Sequence, residues 1–74
     1  MTVASGFFVD WAGNARRTEE RGGGYRCEVD TVARYVAVLS QKGTLIHEAT
    51  FYKTLADMEA AGIKAKLVDV SVPW

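Results

Sequence analysis

The sequence holds a single cysteine, Cys27, and a single histidine, His47, in 74 residues. One thiol closes no intramolecular disulfide and cannot furnish a cysteine-rich zinc site, and one imidazole builds no His-rich metal centre. Net charge is missing as well, since nine Lys plus Arg offset nine Asp plus Glu. A protein that grips nucleic acid through its phosphates usually carries a basic excess, and a mimic of DNA an acidic one. The balance weighs against both. No apolar run approaches the ~20 residues of a membrane span. Met1-Thr2-Val3-Ala4-Ser5 has neither a basic region nor a long apolar core, so no signal peptide is expected. The expected location is a reducing cytoplasm, that of the host cell if the gene is phage-borne.

With 49% apolar and 24% charged residues, the composition is that of a globular chain rather than a disordered one. A chain of this length makes one domain, residues 1–74, and folding hides only about 60% of its unfolded surface. Such a domain is marginal, and a homodimer or a protein partner can supply the burial it lacks.

The charges are less even along the chain than in total. Arg16, Arg17, Arg21 and Arg26 face only Glu19 and Glu20 between residues 12 and 26. Between 44 and 62, Glu48, Asp57 and Glu59 face Lys53. All the cations of the first segment are arginine, which suits bidentate contact with carboxylates or phosphates.

From Val3 to Trp11, Phe7, Val9 and Trp11 alternate with Phe8 and Asp10, which predicts a strand. Residues 12–24 show no apolar periodicity and end in Gly22-Gly23-Gly24, so a mobile Arg/Gly-rich loop is expected there. Tyr25 to Val29 is a second short strand, expected to pair with the first across that loop.

Residues 31–50 support two readings. As a helix over 31–42, Val32, Tyr35, Val36 and Leu39 share a face, with Asp30 as N-cap and Gly43 beyond the end. As a hairpin, strands 33–40 and 44–50 flank Gln41-Lys42-Gly43, with glycine where a left-handed residue is needed. The β-branched and aromatic residues favour the hairpin. Thr50 then caps a helix over 51–61, with Phe51, Leu55 and Met58 on one face. Gly62 follows in a Schellman ending, with Ile63 packed back on Met58. A last strand is expected over 64–72, with Val68, Val70 and Val72 on one face. The fold class is α+β: a small, mostly antiparallel sheet of about four or five strands with one helix on a face. Two helices, 31–42 and 51–61, on a smaller sheet are the alternative.

Chemistry-bearing motifs are scarce. His47-Glu48 lacks the second histidine of a zinc-binding HExxH pattern, and the strand reading places His47 half-buried. Cys27 has no base beside it in sequence and reads as a buried thiol. The triple glycine is followed by Tyr25-Arg26 rather than by the Lys-Ser/Thr of a phosphate-binding loop. The Glu19-Glu20 and Glu28/Asp30 pairs define no pocket. No catalytic or metal-binding residue is assigned, and no cofactor is expected.

What remains is a set suited to protein binding: Arg16, Arg17, Arg21, Tyr25, Arg26 and Trp74, since Arg, Tyr and Trp are enriched at interface hot spots. Trp74, after Pro73, either folds back as a plug or stands out as an anchor. In size, in its single domain and in the lack of a cofactor signature or cysteine pair, the chain resembles the phage-encoded anti-CRISPR inhibitors. No shared residue carries that resemblance, so it assigns no position. It implies a non-enzymatic protein-binding module that sterically blocks a CRISPR-Cas or similar defence complex. The alternatives are a small nucleic-acid-binding module using the Arg-rich loop and an accessory subunit of an enzyme complex using His47 and Cys27.

Overall fold

The computed structural model describes residues 5–20 and 24–74. Five strands and one helix follow in order: β1 (Phe7–Val9), β2 (Ala15–Arg17), β3 (Tyr25–Asp30), β4 (Tyr35–Ser40), β5 (Leu45–Thr50) and α1 (Leu55–Ala60). All named strand pairs are antiparallel, in a β1-β2 hairpin and a β3-β4-β5 sheet. The α+β class and the sheet-dominated architecture are as the sequence pattern indicates.

The run from Tyr35 to Thr50 folds as the hairpin, not as a helix. Ser40 N–H donates to Thr44 O at 2.8 Å and Gly43 N–H to Ser40 O at 2.9 Å, which closes a tight turn at Gly43. Asp30, the candidate helix cap, caps a single turn instead. Its Oδ1 accepts the Val32 and Ala33 N–H groups at 3.0 and 2.9 Å, and the chain then returns as β4. Arg34 ends this turn at φ 55°, a left-handed conformation that costs a residue with a Cβ about 1–2 kcal/mol.

Alternation along the sheet sends Tyr25, Cys27, Val36 and Val38 inward, where they pack with Phe8 and Phe51. A second cluster joins Ala15, Tyr52 and Met58 with Phe7, Val9, Ile63 and Leu67. The β1-β2 hairpin serves both. Phe8 stands opposite Arg16 on one face, and Val9 opposite Ala15 on the other.

Five expectations are corrected by this packing. The strand read from Val3 to Trp11 is β1, three residues long within the described part. The stretch 12–24, read as a mobile loop, contains β2, with Ala15, Arg16 and Thr18 buried. It is therefore β2, not β3, that pairs with β1, because a turn over residues 10–14 reverses the chain at once. The helix begins at Leu55 with Thr54, not Thr50, as its cap, Thr54 Oγ1 accepting Asp57 N–H at 3.0 Å. Phe51 and Tyr52 stay extended because each enters a different cluster and Tyr52 bridges Phe7 through two backbone hydrogen bonds of 2.7 and 2.9 Å. Residues 64–72 form no strand. Leu67 makes one parallel bridge to Ala15, and Asp69 then accepts Ser71 N–H at 2.9 Å, turning the chain.

The end of α1 follows the sequence reading. Ile63 N–H donates to Met58 O at 3.3 Å and Gly62 N–H to Glu59 O at 2.9 Å, with Gly62 at φ 85° and Ile63 packed on the Met58 cluster.

Gly6 permits the close approach of the amino-terminal backbone to the core. A Cβ there would overlap the Phe51 ring and lie 2.6 Å from Tyr52 O, which is backbone and cannot swing aside. Gly6→Ala is expected to destabilise the fold by at least about 1–3 kcal/mol. Urea denaturation measures this, and an unshifted midpoint would contradict the packing described.

Candidate interaction site

Asp10 and Arg16 face each other across the first hairpin. Their side chains are buried, and Arg16 Nε donates to Asp10 Oδ2 at 2.5 Å. The other carboxylate oxygen, Oδ1, accepts the Ala12 and Asn14 N–H groups, each at 2.9 Å. Asp10 thus divides its two oxygens between the turn and the guanidinium.

Arg16 has donors left over, and they reach a distant part of the chain. Nη1 donates to Asp69 O at 3.1 Å, and Nη2 to Val72 O at 2.8 Å and Pro73 O at 3.4 Å. The fork geometry of a guanidinium makes this spread of acceptors accessible to one side chain. Its carbon centre lies 4.7 Å from the Trp74 ring centroid, a cation–π contact. One arginine therefore binds the first turn and the 69–74 segment together.

The Trp74 ring closes the arrangement. It stacks on Phe8 at 5.8 Å and 25°, and meets Tyr25 at 5.0 Å, Trp11 at 5.3 Å and His47 at 5.7 Å edge-on. Pairs of this geometry contribute about 0.5–1.5 kcal/mol each beyond simple burial. His47 projects from β5, and its Nε2 lies 2.8 Å from Val9 O. A carbonyl only accepts, so Nε2 is the donor in this contact.

Trp11 sits at the outside of this cluster. Its ring is edge-on to His47 at 6.0 Å and to Trp74, yet the residue is 58% exposed. The turn that carries it is fixed by both Asp10 backbone groups, which bond to Asn14 O and Gly13 N–H, as well as by the carboxylate. A large aromatic is held in place and half open to solvent.

The residues singled out in the sequence are distributed differently from a single basic surface. Arg16 is 1% exposed, so it is an internal clamp rather than part of a docking loop. Tyr25 is buried in the core, where desolvation raises its phenol above the ordinary range; neighbouring Cys27 adds to the rise and Arg16 opposes it. Trp74 is half-buried as a plug. Arg17 is exposed over the Phe7 ring, 6.0 Å from its centroid, and Arg26 is exposed on the other face of β3 from Tyr25. Arg21 lies outside the described residues. Cys27 is buried among Phe8, Val36 and Val38. Trp11, which sequence reasoning treated only as the end of a strand, is the exposed aromatic of the site.

Among the described residues no group of three His, Cys, Asp or Glu side chains is placed to hold a metal, and no helix is long and apolar enough to cross a membrane. Compared with known proteins, the chain matches no family model, no curated protein and no solved structure.

Burial alone would raise the Asp10 carboxyl, but the Arg16 hydrogen bond, the Asn14 and Ala12 N–H donors and the Arg16 charge together hold it below the ordinary 3.8. The unfolded chain therefore takes up a proton at a higher pH than the native one. The resulting stabilisation is complete above the ordinary value and is lost as pH falls through the native one. Asp10→Asn leaves the guanidinium buried without its countercharge, so a loss of about 3 kcal/mol or more is expected at neutral pH. Between about pH 5 and 2 the variant should also show a shallower fall in stability than wild type. Denaturant titration across that range tests both, and parallel pH profiles would remove Asp10 as their source.

Proposed function

We propose that the protein is a non-enzymatic protein-binding module that presents Trp11 to an apolar pocket of its partner. The observation that carries this reading is an exposed tryptophan on a hydrogen-bonded turn, its ring edge-on to His47 and Trp74. Tryptophan is the residue most often found at binding hot spots, and prior fixation reduces the side-chain entropy lost on binding. The half-buried Trp74 and His47 form the rim against which the partner closes. Balanced net charge suits contact by shape rather than by a strong field.

The burial of Arg16 and Tyr25 withdraws two residues from the protein-binding set read in the sequence, and that of Arg16 also weighs against the nucleic-acid alternative. Within the protein-binding class, the particular reading we carry forward is a phage-encoded inhibitor that occupies a surface of a bacterial CRISPR-Cas or similar defence complex. It rests on the general resemblance in size and plainness, and Trp11 supplies the contact such an inhibitor needs.

Trp11→Ala is expected to weaken partner binding by at least about 2 kcal/mol, roughly thirtyfold. Its melting temperature should stay within a few degrees of wild type, because the ring is mostly exposed. Comparative capture from bacterial lysate, followed by titration of the retained protein, measures the effect; equal retention by the variant removes Trp11 as the anchor. For the inhibitor reading, expression in a CRISPR-immune host should raise the plating efficiency of the targeted phage in wild type and not in Trp11→Ala. Unchanged plating with wild type overturns it.

A further inference from the structure

A concave surface lies away from the Trp11 contacts, between the 31–34 turn and α1. It is a cleft of about 770 Å³ whose lining includes Ser5, Thr31, Arg34, Phe51, Lys53 and Asp57. That volume is within the range of small-molecule sites. Phe51, buried in the core, forms an apolar floor, while the two cations, one carboxylate and two hydroxyls stand around it. The cations outnumber the carboxylate, so the cleft favours an anion.

The backbone adds an independent observation. Arg34 holds a left-handed conformation at φ 55°, where glycine would sit without strain. Its backbone role, accepting Phe51 N–H at 2.9 Å, needs no side chain. Its guanidinium lies 5.8 Å from the Tyr52 ring centroid, and the residue lines the cleft. Glycine would perform that main-chain duty without strain, so what arginine alone contributes at this position is its side chain.

We propose that this cleft binds a small organic anion, a phosphate or carboxylate head on an apolar or aromatic body. Arg34 and Lys53 engage the head, Thr31 and Ser5 donate hydrogen bonds to it, and the body rests on Phe51. Asp57 accepts from a hydroxyl or amine elsewhere on the ligand. Arg34 is the principal contact, because its planar fork matches two oxygens of either head group.

Isothermal titration of the whole protein with phenyl phosphate, benzoate, inorganic phosphate and phenol tests the assignment. Phenyl phosphate or benzoate should bind at least about tenfold more tightly than both inorganic phosphate and phenol, and the tighter of the two identifies the head group. Arg34→Gly should cost about tenfold or more in that affinity, with a melting temperature close to wild type because the strain it relieves offsets the ring contact it loses. Lys53→Met should weaken binding by a smaller factor. Absence of binding at millimolar ligand overturns the proposal. So does binding of inorganic phosphate as tight as that of phenyl phosphate, or an affinity unaltered in a folded Arg34→Gly variant.

Discussion

The Asp10–Arg16 pair is the interaction on which the remaining structure depends. It lies where a small domain would ordinarily place two apolar side chains. Buried ion pairs add little net stability compared with apolar isosteres, because desolvation of both charges opposes their attraction. Here the pair does something apolar residues could not. The carboxylate satisfies two backbone N–H groups of a turn, and the guanidinium satisfies three carbonyls of a segment more than fifty residues away. Those polar groups are partly buried, and the two buried side chains supply their partners. The pair ties irregular backbone, the 10–14 turn and the 69–74 segment, onto the edge of the core. It also explains how so short a chain encloses a core with only three-residue strands in its first hairpin.

The parts legible in the sequence are those set by local rules. The β4-β5 hairpin follows from a β-branched run on each side of a turn with glycine at its end. The Schellman ending follows from Met58, Gly62 and Ile63 at the required spacing. What escaped notice was set by tertiary contact. The helix starts four residues later than its capping pattern suggests because Phe51 and Tyr52 each enter a different cluster as extended chain. Alternating valines imitate a strand over 68–72, but Asp69 and Ser71 form a side-chain-directed turn that sends Val72 outward.

Strand β2 is the instructive case. A pattern search looks for apolar residues at alternate positions, and Ala15-Arg16-Arg17 offers one small one. Arg16 occupies an inward position because its charge is answered from across the hairpin, which no periodicity reports. The available signal was the turn itself. Asp10 followed by Gly13 and Asn14 is hairpin chemistry, and a hairpin there sets Asp10 across from Asn14, with Arg16 diagonal to it two residues along the facing strand. Glycine and asparagine end a strand or reverse it with equal ease, and only the reversal brings Arg16 inward.

The candidate site inherits this logic. Trp11 was hidden in the sequence by its position at the end of an apolar alternation, where a core role is the natural reading. In the structure the same turn that lets Asp10 reach Arg16 carries Trp11, which is left more than half exposed. The clamp thus fixes the backbone from which the ring projects. The Trp74 ring supports it from one side only because Arg16 holds the carbonyls of Val72 and Pro73. A single buried guanidinium thus fixes both aromatic residues of the surface, and the stability of the core and the geometry of the site rest on the same contact.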